Sequence, residues 1–170
     1  GLFCVGDGET YNVPVEMAET RYGIRVDEHS LHTDGAGAGE YRGGSGAVRV
    51  YRSMNENQTF TASFGRNKWP VWGAAGGKDG SVNYFQFIDA DGTVSEPMGI
   101  AARRVMNTND VVRMVTATGG GYGNPFKRPA EKVAMDVKNE YITVEQAKAD
   151  YCVLVDPETF KVLGLTEERQ

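Results

Sequence analysis

The sequence predicts a mainly β domain, sandwich- or barrel-like, with glycine-rich loops, a short C-terminal helical segment and a final hairpin. Three observations support this fold class. Short segments alternate apolar and polar residues with the period of two that is typical of strands. Of the 22 glycines, 21 lie before residue 124 and separate these segments. From Pro129 onward the sequence has helix-start signals instead.

The first 128 residues are predicted to contain five strands and one short helix. The alternation is clearest at 58–64, where Phe60, Ala62 and Phe64 share one face of a strand. The helix begins at Pro14, because proline is tolerated in a first turn. The other strands are predicted at 24–31, 47–54, 81–88 and 111–116.

The last part of the chain is predicted to be helical and to end in a hairpin. Pro129 begins a helix in which Val133 and Val137 share a face. The run TVEQ at 143–146 is a capping box that begins a second helix. Strands at 151–155 and 160–163, joined by a turn at 156–159, form the hairpin. Cys152 is expected in the first of these strands as an inert core residue, and the charged last residues are expected to fray.

We therefore expect a glycine-rich β domain at 1–128, with helices and hairpin at 129–170 packed on it as one compact unit. Net charge −5 and pI ≈ 5.1 argue against a nucleic-acid binder, which needs a basic face. The sequence contains no apolar run of ~18 residues, so no membrane span is expected. Only Cys4 and Cys152 could form a disulfide, which favours a reducing, cytoplasmic compartment.

Three glycine clusters lie at 34–46, 72–80 and 119–125. Glycine loops can bind phosphate through their amides, but the middle cluster lacks the Walker A pattern, with Trp72 and Asp79 at positions that need glycine and a hydroxyl. Left-handed turns and close approach between backbones are the favoured interpretation.

The sequence lacks the usual parts of a self-contained active site. His29 and His32 are the only histidines, and residues three apart on a strand face opposite sides, so no metal site is predicted. No G-x-S-x-G elbow is present. The residues alone therefore indicate a β domain that presents glycine loops, aromatic rings and arginines, and its catalytic residues stay unknown.

The glycine clusters, in this order, resemble the C-terminal part of the hydantoinase B/oxoprolinase family. The stretches that carry the resemblance are DGAGAGEYRGGSGAVRVYR (34–52), WPVWGAAGGKDG (69–80), GGGYGNP (119–125) and ITVEQAKADYCVLV (142–155). The resemblance implies a complex that couples ATP hydrolysis to opening a cyclic amide, or alternatively to carboxylating a ketone. A third alternative is a non-catalytic β module used for assembly.

The resemblance also implies partners and cofactors. A hydantoinase A-like subunit would supply the ATP chemistry, and the remaining N-terminal part of the B-type subunit would hold the metal ligands. We therefore expect no cofactor in this chain, which would be inactive alone, and ATP, magnesium and a divalent metal in the complete complex. Many relatives carry a lysine where the segment 96–104 has alanine, so either the substrate differs or Arg103 or Arg104 takes its place.

Four loop residues are candidates for substrate binding: Arg42, Arg66, Trp72 and Lys78. Arg42 follows a glycine turn and could face a carboxylate or a phosphorylated intermediate. Each has an ordinary alternative. Arg42 could pair with Glu40 or Asp34, Lys78 could be a solvated turn residue, and Trp72 could be a core residue. If the chain is an assembly module, substitutions at Arg42, Lys78 or Trp72 should disturb association or stability and leave turnover unchanged.

Overall fold

A computed structural model describes residues 13–169 of the chain. Cys4 lies outside the described residues. None of the helices in the described range is both long and apolar enough to cross a membrane. The regular elements are α1 (Val15–Tyr22), β1 (Ile24–His32), β2 (Gly46–Ser53), β3 (Gln58–Ser63), β4 (Tyr84–Ile88), β5 (Ile100–Met106), β6 (Val111–Val115), α2 (Ala130–Lys138), α3 (Val144–Tyr151), β7 (Val153–Val155) and β8 (Val162–Leu165).

The main sheet has four antiparallel strands in the order β1-β2-β6-β4. Side chains alternate between its two faces. On one face Val48 and Val50 of β2 pack beside Val111 and Val115 of β6. The opposite face presents Phe85, Phe87 and Val112, among others.

A second layer, the β3–β5 pair, covers this opposite face. Phe60 meets Phe85 and Phe87 edge-on, with ring centres 5.6 and 5.5 Å apart. Phe64 contacts Phe85 in the same way at 5.6 Å. The predicted shared face of Phe60, Ala62 and Phe64 is therefore confirmed, and so is the mainly β class. Within residues 13–169 the strands do not close into a barrel.

Two segments of the first part differ from the prediction. The strand expected from residue 81 begins at Tyr84. The residues before it make side-chain contacts instead: Ser81 accepts a hydrogen bond from the backbone amide of Thr118, and Asn83 accepts one from the backbone amide of Ala117. Strand β5 was not predicted. Most of its residues are exposed and its register with β3 shifts at a bulge, so its sequence lacks a clean alternation.

The C-terminal elements enclose a separate apolar cluster. Its fully buried members include Val133 of α2, Ala147 of α3 and Val153 of β7. Ala38 of the first glycine cluster also packs here, so the C-terminal elements are joined to the rest of the chain through side-chain contacts. The predicted turn is confirmed, with Asp156 Oδ1 accepting two backbone amides.

Two predictions for the C-terminus are wrong. Cys152 lies at the end of α3 rather than in a strand, with a left-handed φ of 55°. It is buried, and its thiol donates a hydrogen bond to Glu168. The residues 167–169 form a 3₁₀ turn rather than a frayed end, because Arg169 donates to the carbonyl of Tyr151 at 2.7 Å and to that of Arg128.

The capping box at α3 is present and gives a testable stability prediction. The Thr143 hydroxyl accepts from the Gln146 amide at 3.1 Å, and Gln146 Oε1 accepts from the Thr143 amide at 2.8 Å. Replacing Thr143 with alanine should lower the free energy of unfolding by about 1 kcal/mol, measured by urea denaturation. Thr143→Ser keeps the hydroxyl and should stay near wild type. Equal losses in both variants would contradict the capping role.

Candidate functional site

Three glycine-rich segments, 37–46, 71–80 and 118–124, meet in one place, which we call the glycine junction. A Cβ added to Gly43 would lie 2.0 Å from the carbonyl oxygen of Gly119. One added to Gly121 would lie 2.1 Å from that of Ala38. No side chain fits at such distances, so close approach of backbones explains these glycines as predicted. In the three clusters a left-handed φ occurs at Gly35, Gly76 and Gly123, and also at Ala75.

Several backbone amides of the junction donate to carbonyl groups within it. Gly37 donates to the carbonyl of Gly119 at 2.9 Å, Lys78 to that of Ala38 at 2.7 Å, and Gly121 to that of Lys78 at 2.9 Å. A phosphate-binding loop requires amides that converge on the ligand and have no partner in the protein. These three amides are therefore not available to a phosphate group.

Metal ligands are the second feature to consider in the described residues. Among residues 13–169 no group of three or more His, Cys, Asp or Glu is arranged to hold one. Burial lowers the pKa of His32, an effect that Asp34 opposes and Arg113 reinforces. Burial thus favours the neutral imidazole of His32.

Arg42 belongs to a buried group of charges that we call the charged cluster, made of Arg42, Arg128 and Asp136. The Arg42 Nε atom lies 3.6 Å from Asp136 Oδ2, and Arg128 Nη2 lies 2.8 Å from the same oxygen. The three side chains are only 9 to 14% exposed. The guanidinium of Arg42 also lies 4.7 Å from the ring centre of Tyr141. The partner is therefore Asp136 of α2, and the expected alternatives Glu40 and Asp34 are wrong.

The charged cluster connects the C-terminal helices to the glycine junction. Arg128 donates from Nη1 to the carbonyl of Glu40 at 3.0 Å, and Arg169 donates in turn to the carbonyl of Arg128. Burial raises the pKa of the neighbouring Tyr151 phenol. This arrangement stabilises the position of the junction, and none of its contacts requires a substrate.

Lys78 makes a second connection to the C-terminal helices. Its Nζ lies 2.7 Å from Asp150 Oδ1 of α3. Because the lysine and aspartate side chains are 54% and 30% exposed, this ion pair is at the surface and contributes little to stability.

Arg66 and Trp72 contact each other at the surface. The guanidinium of Arg66 lies 4.8 Å from the ring centre of Trp72. Trp72 is 67% exposed, so the expectation that it could be a core residue is wrong. Arg66 also has a left-handed φ of 51°, which is uncommon for a residue with a side chain.

The four predicted residues each have a separate partner in the structure. Within residues 13–169 no hydrogen bond, ion pair or ring contact joins Arg42, Lys78 and the Arg66–Trp72 pair to one another. Their role in substrate binding stays a prediction.

Two features of this region were missed in the sequence. Asp136 lies on the apolar face of α2, three residues after Val133, and a charge at that position signals a buried partner. Tyr41 and Tyr122 pair across the junction, with ring centres 6.2 Å apart, and both remain exposed. Each tyrosine lies inside a glycine cluster, and this position was the only sequence feature that could have indicated the pair.

The two arginines of β5 occupy different environments. Arg104 lies 3.1 Å from Asp89 and 5.1 Å from the ring centre of Phe87. Arg103 is exposed at the bulge, with a left-handed φ of 54°, and its amide donates to Thr61 Oγ1. In the described part of the chain Arg104 forms an ion pair with an acidic residue, whereas Arg103 does not.

Comparisons with known proteins give the family. The sequence profile of the hydantoinase B/oxoprolinase family matches residues 1–125. An uncharacterized protein of Methanocaldococcus jannaschii is 34% identical over 144 residues, which are 85% of this chain and 25% of that protein. The beta subunit of caprolactamase from Pseudomonas jessenii is 30% identical over 158 residues, covering 84% of this chain and 25% of the subunit. The chain thus spans about a quarter of the length of these relatives.

Solved structures agree with the sequence relatives. The crystal structure of the ATP-dependent caprolactamase from Pseudomonas jessenii has a TM-score of 0.71 and 29% identity, covering 91% of this chain and 26% of that one. Nucleotide-free acetone carboxylase also has a TM-score of 0.71, at 16% identity, covering 92% of this chain and 25% of that one, which shows a shared fold. The chain belongs to the hydantoinase B/oxoprolinase family.

Proposed function

We propose that this chain acts as the C-terminal portion of the B-type subunit of an ATP-dependent cyclic amide hydrolase. The observation that carries the proposal is the caprolactamase match, which extends over most of the chain in both sequence and fold. Caprolactam and hydantoin are both cyclic amides, so the family and this relative indicate the same substrate class.

A ketone carboxylase is the second candidate, and the acetone carboxylase likeness favours it. The TM-score is the same as for caprolactamase, whereas the identity falls from 29% to 16%. Since fold alone is compatible with different chemistry, the closer sequence relationship makes the amide hydrolase the better-supported function.

In this proposal the chain is a rigid part of a larger catalytic assembly. Several of its junction amides donate to its own carbonyls, and its described carboxylates, histidines and cysteine form no group of three or more that could hold a metal. As the family resemblance implies, ATP and magnesium would bind to the hydantoinase A-like subunit and the divalent metal to the N-terminal part of the B-type subunit. The chain would be inactive alone, and the protein would work in the cytoplasm, where ATP is available.

The test is a purified assembly that contains this chain, supplied with ATP and magnesium. Hydantoin, 5-oxoproline and caprolactam are offered in one series, and acetone with bicarbonate in another. We expect ADP release coupled to ring opening in the first series and none with the chain alone. ADP release coupled only to carboxylation would replace the proposal with the second candidate. Failure of both reactions would favour the non-catalytic assembly module.

A further inference from the structure

Residues 65–73, which we call the tryptophan loop, present the only two tryptophans of the chain to solvent. Trp69 is 78% exposed and Trp72 is 67% exposed. An exposed indole leaves a large apolar area in water, and tryptophan and arginine are the residues most enriched in protein-binding hot spots.

The loop is held in a fixed shape although its rings are exposed. The side-chain amide of Asn83 donates to the carbonyl of Gly65 at 2.6 Å, and its backbone amide donates to the carbonyl of Arg66 at 3.1 Å. At the other end, Gly80 donates to the carbonyl of Val71 at 2.8 Å, and the Gly73 amide donates to Asp79. A loop fixed before binding loses little entropy when a partner arrives.

Backbone strain in the loop is an independent observation. Arg66 adopts a left-handed φ of 51°, a conformation that costs about 1–3 kcal/mol and persists only where neighbouring contacts enforce it. Here the two hydrogen bonds from Asn83 enforce it. The result is a guanidinium placed 4.8 Å from the ring centre of Trp72.

The charges of the loop indicate the chemistry of what it contacts. In the described part of the chain, neither Arg66 nor Lys68 forms an ion pair, although the whole chain has a net charge of −5. Two indoles beside two uncompensated cations fit an apolar depression with carboxylates at its rim. A small substrate is a poorer fit, since it needs a concave site that encloses most of its surface.

We propose that the tryptophan loop docks this chain onto the larger remaining part of the hydantoinase B-type subunit. In its relatives the region that matches this chain is about a quarter of one polypeptide. Because the two parts are covalently linked there, the remaining part of the polypeptide is the binding partner with the highest effective concentration. Trp69 and Trp72 insert into the depression, and Arg66 and Lys68 pair with its carboxylates. The identity of the occupant rests on the proposed function.

Hydroxyl-radical footprinting of the assembly that contains this chain tests the burial. Oxidation of Trp69 and Trp72 is compared between the native assembly and the same assembly in urea. We expect about tenfold protection of both rings, as for residues at an interface centre. Leu163, which is 68% exposed on β8, is the control and should be oxidised readily in the native assembly. Tryptophans oxidised as fast as in urea would overturn the proposal.

A photo-crosslinking residue in place of Trp69 identifies the occupant. Cross-links to the remaining part of the B-type subunit support the proposal, and cross-links to an A-like subunit alone overturn it. Cyclic amide hydrolysis measured on the same preparation separates the two proposals. Protected rings without ATP-dependent turnover would count against the proposed function, whereas turnover with unprotected rings would count against the docking role.

Discussion

Replacing Gly121 with alanine is expected to destabilise the fold strongly. The added Cβ would lie 2.1 Å from the carbonyl oxygen of Ala38 and 2.7 Å from that of Gly37. Both contacts are with backbone, which cannot rotate away as a side chain can. The hydrogen bonds of Gly121 with Ala74 and Lys78 would be disturbed as well. We expect a loss of about 4 kcal/mol or more in the free energy of unfolding.

Thermal unfolding measures this loss. At about 2–4 °C per kcal/mol for a chain of this size, Tm should fall by about 8–16 °C or the variant should fail to fold. Gly164→Ala is the matched control, because its Cβ meets nothing within 4 Å and its φ is not left-handed. It should change stability by less than about 1 kcal/mol. Equal Tm values for the two variants would contradict the close packing of the junction.

Replacing Asp136 with asparagine should be nearly as damaging. The change keeps the size of the side chain but leaves Arg42 and Arg128 buried without a counter-charge. Removing one member of a buried ion pair costs about 3–5 kcal/mol, since the remaining charge is desolvated and unpaired. Urea denaturation of the variant should show a loss of this size.

The control is Asp150→Asn, which breaks the exposed pair with Lys78. We expect a loss of at most about 1 kcal/mol, decreasing further as salt is added. Both variants replace an ion-paired aspartate with asparagine. The difference between their losses therefore measures the effect of burying the ion pair. Similar losses at the two positions would show that the charged cluster is hydrated in solution.

The fold could be predicted where the pattern of side chains is local. Strand β3 alternates within six residues, and the capping box needs only four, so each was visible without knowledge of the partners. Strand β5 was not visible. Ile100 and Val105 are apolar but 67% and 50% exposed, and the bulge at Arg103 breaks the period of two.

The candidate site depends on contacts between distant parts of the chain. The spacing of the glycines indicated close backbone approach, but nothing in the first cluster identifies residues 118–124 as its neighbours. Arg42 was correctly expected to have an ionic partner if it had no functional role. Its partner Asp136 lies in a helix outside all three clusters, so the nearer acidic residues were the wrong choice.

The separation of the junction's segments has a consequence for synthesis on the ribosome. The Thr118 hydroxyl donates to the carbonyl of Gly35 across 83 positions, and Arg128 reaches Glu40 across 88. At ~5–20 residues per second, the first glycine segment leaves the ribosome ~4–16 s before its partner, far longer than a helix or hairpin takes to form. Until then its amides are hydrogen-bonded to water, and the strands next to it have unpaired edges. The nascent chain is therefore most exposed to misfolding and proteolysis until the glycines at 119–121 emerge.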